Sequence, residues 1–547
     1  MQTNFESFPI LTLHEKLDAG QFALPKLQRA FVWNGAKAAK MLDSVYEGMP
    51  IGSLTLWDTR KKNRGLLRIS TKVLPPYKNH HRRVLFVLDG QQRLSVLHGV
   101  RAGGSVQSGR RGELDFGRMV FRVTEEAGPR FQYRNPVERE WISLQDILAS
   151  NWIERLGGLP RRSFKRAEDC RDRLLAYEVP CVRVETDDID DARELFIRIN
   201  STGTPLGAAD RAFARASEFD LRELADQAAE KMPDTFKRIR DEVVLQTLAL
   251  LEGFEDLGGD AMDKVVATLN ERIRAQGPSA IKQFTKTWDL QQKAMHRALD
   301  LLRIQFHVLD DGLLPSQYMV ATLTVFFFRH ARQPQPEQLA QISRWFWSTA
   351  LGSRYSGSGY RGNILQDSDY FKRLAANGRE VFRVTDLIDP TEIRRASYGK
   401  RSAIADAFFC LLIAQKPKLL TNATLMQMEY FASNANRRHK HHIFPRNLLT
   451  KAGVGPSSLN SILNLCFIPA EENSKFGARP PHRYLLDYCE KRYFPDVMAR
   501  HLIPHNDEAG IWKKKARAAY YQFLREREER VCEAFEKVAG CRLFRRV

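Results

Sequence analysis

Apolar positions along the first 210 residues fall into two registers. Val84-Leu85-Phe86-Val87-Leu88 is an unbroken apolar run, the pattern of a strand buried on both faces. Ile51 to Trp57 alternates as a half-buried strand does, and Met119 to Val123 and Val179 to Val184 read as further strands. Helical spacing lies between them. Met41, Leu42 and Val45 mark a helix that Asn34 caps and that runs to about Glu47. Leu94, Val96, Leu97 and Val100 face inward from a helix over Gln91 to Val100. From about 210 to 400 the three- and four-residue spacing predicts helices over Phe236 to Leu251, Met262 to Arg274, Phe284 to Phe306, Pro315 to Phe328 and Pro336 to Leu351. Ser353 to Gly362 is a Gly/Ser/Tyr/Arg-rich loop. The last 150 or so residues combine two strand-like runs, Ile443-Phe444 and Ile462 to Ile468, with a basic helical tail over Trp512 to Val538. The expectation is an α+β multidomain chain: an α/β domain over 1–210, a helical connecting region over 211–400 and a C-terminal domain over 401–547.

Length agrees with several domains, because 547 residues exceed what one hydrophobic core organises. Charge changes the picture more. Lys and Arg number 85 against 65 Asp and Glu, a net +20, which favours polyanionic partners and nucleic acid first. The bland alternative is a merely soluble basic surface. No apolar run approaches the roughly 20 residues of a membrane span, and Met1-Gln2-Thr3-Asn4-Phe5-Glu6 lacks a secretory pattern. The seven cysteines are scattered without a Cys-x-x-Cys pair, so they read as reduced core thiols of a cytoplasmic protein.

Candidate chemistry sits in two places. Asp89-Gly90-Gln91-Gln92-Arg93 lies where an apolar strand turns into a helix, a place with free N–H groups and partial positive charge for a phosphate. Gly90 permits the tight turn, Arg93 suits phosphate oxygens, Asp89 a metal or water, and Gln91 and Gln92 a base or ribose. The structural alternative is a capped turn with an internal Asp–Arg pair. Gln28-Arg29, and Arg198 and Asn200 within Phe196-Ile197-Arg198-Ile199-Asn200-Ser201-Thr202-Gly203, supply two more polar groups in apolar frames. Such groups need partners, and together they suggest one shared anionic site. No Walker-type glycine loop is present.

These residues resemble a known family. Leu24-Pro25-x-x-Gln28-Arg29-x-x-Val32-Trp33, the Asp-Gly-Gln-Gln-Arg block and Phe196-x-Arg198-x-Asn200-x-x-Gly203 are similar to the N-terminal domain of GmrSD-type restriction proteins. The resemblance covers about 210 residues and implies a ParB/sulfiredoxin-like fold that binds and hydrolyses GTP or ATP. Trp345-Phe346-Trp347 and Arg354-Tyr355-Ser356 resemble less specific features of the same family.

The second place is His439-Lys440-His441-His442-Ile443-Phe444-Pro445, with Asn464 and Asn473 downstream. Histidines and asparagines against a basic background are what a single-metal nuclease needs: a neutral imidazole to take a proton from water, a cradle for one divalent cation, and positive charge to hold a phosphodiester. Asn464 interrupts an apolar strand pattern and is costly there unless bonded, so it is expected to hold the backbone near His442. The alternative is a His-rich basic loop with incidental asparagines.

The segment resembles the HNH nuclease domain, with its ββα-metal fold, that forms the C-terminal half of GmrSD-type proteins. The resemblance implies that His442 is the general base, Asn464 the orienting residue and Asn473 the last metal ligand. His441 stands where the family has an acidic ligand, which lowers Mg²⁺ affinity and shifts preference toward Mn²⁺. Lys475 and Arg479 are candidate phosphate contacts. Lys513, Lys514 and Lys515 either track DNA or form a solvated helix face, and Arg525 to Arg530 reads as a salt-bridged surface.

The combined expectation is an NTP-regulated, metal-dependent endonuclease defending against phage or other modified foreign DNA. Its partners are double-stranded DNA and a nucleotide, with no membrane. One active site cuts one strand, so a double-strand break needs a homodimer or two visits. Two rivals remain: a non-catalytic DNA-binding regulator, and a nuclease whose N-terminal domain also cuts DNA.

Overall fold

A computed structural model describes residues 1–25, 31–60, 74–78, 83–107, 113–126, 128–137, 140–202, 207–384, 387–398, 402–428 and 440–545. Two compact units emerge. The first comprises Met1–Asp226 with Val266–Arg274, the second Gln227–Val265 with Ala275–Val547. Of the helical region expected over 211–400, residues 211–226 and 266–274 belong to the first unit and the rest to the second, with the C-terminal residues.

The strands of the first unit are β1 (Gln2–Pro9), β2 (Phe22–Ala23), β3 (Leu54–Arg60), β4 (Arg83–Asp89), β5 (Ser105–Gln107), β6 (Glu113–Asp115), β7 (Met119–Arg122), β8 (Phe131–Tyr133), β9 (Trp141–Ser143) and β10 (Glu178–Glu185). Five of them form a sheet in the order β1-β10-β3-β4-β2. β1 and β10, and β3 and β4, pair antiparallel, while β10 and β3, and β4 and β2, pair parallel. β4 explains its own unbroken apolar run. Val87 joins the larger core with Leu54, Leu56 and Leu94, whereas Val84, Phe86 and Leu88 join a second core with Trp57 and Phe196. Consecutive side chains alternate between faces, so both faces of β4 are dry.

Two elements depart from expectation. β3 begins three residues later than the alternation indicated and runs on through Asp58. That carboxylate is 2% exposed and is held by Arg83 Nε at 2.6 Å and Arg183 Nε at 2.8 Å. A charged residue reads as a strand end in one dimension; two arginines from neighbouring strands make it an interior position. β1 is an edge strand, largely exposed, and has no apolar signature to betray it.

The second unit is mainly helical. The helix Pro336–Leu351 starts at a capping box made by Gln335 and Gln338, with Pro336 in its first turn. It packs on the C-terminal helix Ala516–Ala539: Trp347 meets Phe535 at a ring separation of 5.5 Å, and Ser343 Oγ donates to the Val538 carbonyl at 2.8 Å. These contacts join the helix Pro336–Leu351 to the C-terminal helix within the second unit. The C-terminal helix also starts later than expected. Gly510–Trp512 forms a 3-10 turn folded against it, and Lys513, Lys514 and Lys515 precede the first helical turn. The fold-back is close: a Cβ on Gly510 would meet the Ala519 carbonyl and the Phe523 nitrogen at 2.5 Å each.

Among the described residues no helix is long and apolar enough to cross a membrane. All seven cysteines are free thiols, five of them buried.

Candidate functional site

The C-terminal constellation is built on a two-stranded ribbon. β11 (Lys440–His442) pairs antiparallel with β12 (Leu465–Phe467), setting His441 opposite Cys466 and His442 opposite Leu465. The strand-like run expected over Ile462 to Ile468 begins instead as a 3-10 turn, Ile462–Asn464, before becoming β12. The helix Ala470–Phe476, which carries Asn473, follows β12 directly. The two paired strands are separated in the chain by the short helices Arg446–Lys451 and Pro456–Leu459, and the helix comes after the second strand.

Asn464 is fully buried, and its side chain closes a ring with one residue beyond the first strand. Its Oδ1 accepts from the Phe444 N–H at 2.8 Å and its Nδ2 donates to the Phe444 carbonyl at 3.1 Å. The Asn464 carbonyl accepts from the Ile443 N–H at 2.7 Å. Tyr484, on the helix Pro481–Tyr488, donates its hydroxyl to the Ile443 carbonyl at 2.9 Å. The two residues after His442 thus have their backbone groups tied down by Asn464 and Tyr484.

Behind the ribbon stands Arg527, which is 0% exposed. Its Nη1 donates to the Leu463 and Leu465 carbonyls at 2.6 and 2.8 Å, its Nη2 to His501 at 2.8 Å and its Nε to Leu502 at 3.3 Å. Burial lowers its pKa to about 10, so the guanidinium stays charged at neutral pH, with backbone carbonyls in place of a carboxylate.

His442 is half-buried, and burial is the chief cause of a pKa below the usual histidine value. The charge of Arg446 adds to the lowering, while a hydrogen bond with the Asn460 side chain opposes it. The ring is therefore neutral at physiological pH. Its Nε2 is shielded from solvent and makes no hydrogen bond among the described residues. A neutral imidazole held at one edge and uncommitted at the other is chemically a base. His441 precedes it on β11, where neighbouring side chains diverge, so the two rings can share a site only at the ribbon's end.

Asn473 is half-buried in the helix after β12. The adjacent Glu472 is structural: it accepts from the Leu420 and Thr421 N–H groups at 3.3 and 3.2 Å. Among the described residues, no group of three or more His, Cys, Asp or Glu side chains is placed to hold a metal ion. The two metal ligands expected from the sequence lie on separate elements, His441 on β11 and Asn473 on the helix Ala470–Phe476. Lys475 and Arg479 are exposed, and Arg479 lies on the Tyr488 ring, 5.3 Å from its centroid. Lys513, Lys514 and Lys515 are exposed as well, and Lys514 acts electrostatically on His482, close to Arg479 in sequence. His439 lies outside the described residues.

At the N-terminal block the structure forms the capped turn with an internal ion pair. Gly90 adopts φ 90° as the cap of the helix Gln91–Ala102. Arg93 Nη2 donates to Asp89 at 2.6 Å and to the Ser53 carbonyl at 2.8 Å, and Nη1 to the Ile51 carbonyl at 3.0 Å. Arg93 thereby ties the strand-to-helix turn to the entry of β3 instead of reaching outward as a phosphate fork. Gln92 Oε1 accepts from the Val32 N–H at 2.8 Å. Gln91 is 7% exposed, with its Oε1 buried and without a hydrogen bond among the described residues. Arg198 is 76% exposed and pairs with Glu194 at 2.7 Å, one helical turn away. Gln28 and Arg29 lie outside the described residues, as does the Asn200 side chain.

Residues 10–216 match the family described as GmrSD restriction endonuclease, N-terminal domain. The match supports a GmrSD-family restriction protein. DNA is the substrate that a restriction endonuclease family implies. The GmrSD N-terminal match contains the Asp89 to Arg93 turn and the helix bearing Arg198, and ends before the ribbon carrying His442. Likeness extends further in one relative, an uncharacterized protein of Methanocaldococcus jannaschii, 23% identical over 543 residues, covering 90% of this chain and 88% of its own length.

Sequence reasoning missed three residues of the C-terminal site: Asn460, Tyr484 and Arg527. Asn460 is one polar residue in the ordinary run Ser457-Ser458-Leu459-Asn460-Ser461. Arg527 sits within alternating charges that read as a solvated face. The only signal for it is its place among Tyr520, Phe523, Leu524 and Val531 on the buried side of its helix.

Proposed function

We propose that this chain is a metal-dependent DNA endonuclease of a restriction system, with the ββα segment around His442 as an HNH-type centre and the N-terminal unit as its nucleotide-responsive control. The observation that carries the reading is His442: a neutral ring with an uncommitted Nε2, on a strand whose following turn Asn464 clamps through both polar groups of Phe444.

In this reading His442 takes a proton from water as that water attacks phosphorus, and the Asn460 bond sets the ring's orientation. Asn464, Tyr484 and Arg527 keep the ribbon rigid, so the base does not drift from its line of attack. His441 and Asn473 would hold one Mg²⁺ or Mn²⁺ ion, which stabilises charge on the phosphate and the leaving oxygen. Lys475, Arg479 and Lys513 to Lys515 add positive potential for the DNA backbone. At the N-terminal turn the reading offers Gln91, at the start of its helix, to GTP or ATP. Modified foreign DNA is the expected target.

The test is plasmid cleavage with Mg²⁺ or Mn²⁺, with and without each nucleotide, on unmodified, glucosylated and phosphorothioated DNA. His442→Ala should lower the rate by about 10²–10⁴ without loss of fold or DNA binding. Near-normal cutting by this variant would remove His442 as the base. Failure of the wild type to cut any of these DNAs, while still binding them, would favour a non-catalytic regulator.

A further inference from the structure

The five-stranded sheet of the first unit has two edges, and they are finished differently. β2 closes one edge with two residues, Phe22 and Ala23. β1 closes the other with eight, Gln2–Pro9, in an unbroken register with β10 from Gln2 opposite Glu185 to Pro9 opposite Glu178. A long open edge is a template for another strand, and sheets ordinarily blunt it with brevity, lysine or a bulge. β1 has none of these. It carries no lysine or arginine, Gln2 to Phe5 and Ser7 are exposed, and Phe5 is 82% exposed.

The phase of the hydrogen bonds decides which groups that edge offers. The Ile10 N–H donates to the Tyr177 carbonyl at 3.0 Å, one step beyond the pair of Pro9 and Glu178. Bonded pairs alternate along an antiparallel ladder, so Phe8, Glu6, Asn4 and Gln2 spend their backbone groups on β10. Thr3, Phe5 and Ser7 direct N–H and C=O outward, where no strand follows among the described residues. Pro9 shares their phase, so its missing N–H falls on the outer side and costs the ladder with β10 nothing.

These outward groups fit a copy of themselves. Two β1 strands running antiparallel about a two-fold axis at Phe5 set Phe5 against its own copy and Thr3 against Ser7 on either side. Each of these is a bonded pair, exchanging both N–H···O bonds. The pairs between them set Asn4 against Glu6 and Gln2 against Phe8, so no charge meets its like, and the two Phe5 rings form an aromatic cross-strand pair. We propose that β1 is a self-pairing edge through which two copies of this chain join their first-unit sheets into one. Such an interface uses the same patch on both copies, as two-fold dimers do. The proposal goes beyond the nuclease reading and does not depend on it. On that reading a dimer carries two His442 centres, one for each strand of a duplex.

The experiment follows the mass of the full chain by light scattering after gel filtration, across a dilution series and without DNA, metal or nucleotide. Wild type should run at twice the mass of the chain and dissociate on dilution. Phe5→Lys sets a lysine against its own copy at the axis and should raise the dissociation constant by about tenfold or more. The circular dichroism spectrum should not change, since Phe5 lies outside the core. Phe5→Glu should act alike, and an equimolar mixture of the two variants should recover the dimer, because an axis at Phe5 sets lysine against glutamate. Ser7→Pro removes an outward N–H and should also favour the monomer. A wild type that is monomeric at every concentration overturns the proposal, even if it binds strands of other proteins. So does a dimer that neither Phe5 variant weakens, and so does a mixture that stays monomeric.

Discussion

Asn464→Ala is the sharpest test of how the ribbon holds its base. The wild-type amide satisfies the Phe444 N–H at 2.8 Å and the Phe444 carbonyl at 3.1 Å, and Phe444 is itself 2% exposed. Alanine leaves both groups buried and unpaired. Each unsatisfied group costs about 1–3 kcal/mol, so the substitution should destabilise by about 2–6 kcal/mol. Domains are stable by about 5–15 kcal/mol, so much of the second unit's margin is at stake. Asn464→Asp separates bonding from packing. It has the same size and keeps an acceptor for the N–H, but turns a carboxyl oxygen toward a carbonyl and buries a charge, so it should also destabilise. Chemical denaturation followed by circular dichroism gives the midpoints, and a constant slope shows that the unfolded state has not changed. Cleavage should fall in both variants even where they remain folded, because the turn after His442 is freed. If Asn464→Ala unfolds within about 0.5 kcal/mol of wild type, below the usual cost of even one unsatisfied group, the amide is not what fixes the turn.

Other substitutions probe the remaining supports. Arg527→Met removes the donor to four carbonyls and should cost more than about 4 kcal/mol, with cleavage lost; a mild effect would mean water replaces the guanidinium. Arg93→Ala should lower the stability of the first unit by about 2–3 kcal/mol whether or not nucleotide is present, since its bonds go to Asp89, Ile51 and Ser53; calorimetric loss of GTP or ATP affinity with unchanged stability would instead make it a nucleotide ligand. His14 and His98 predict an acid limit. His14 is buried, with its pKa lowered to about 4 mainly by burial, and burial lowers His98 as well. The unfolded chain takes up these protons first, so stability is complete above pH 6.5 and declines toward pH 4, by about 3 kcal/mol for His14 alone. His14→Gln should flatten the decline, and a profile identical to wild type would show that His14 does not titrate in folding.

What the sequence determined by itself was local. The apolar run of β4 marks a strand with two dry faces, the Asn34 cap and the helical spacing after it mark the helix Gly35–Tyr46, and a buried asparagine beside an apolar ribbon must bond backbone. Each follows from burial periodicity or from the cost of an unpaired polar group, which neighbours in sequence already impose. The Asp89 to Arg93 turn was legible as a turn, yet whether Arg93 pointed inward or outward was not, because its acceptors at Ile51 and Ser53 lie about forty residues away. The same distance hid the rest. Asp58 reads as a strand end until Arg83 and Arg183 arrive from two other strands, and Arg527 reads as a solvated charge until four carbonyls close around it. Only tertiary structure decides which partners a polar group meets, and the energy of a charge depends on those partners more than on its neighbours in the chain.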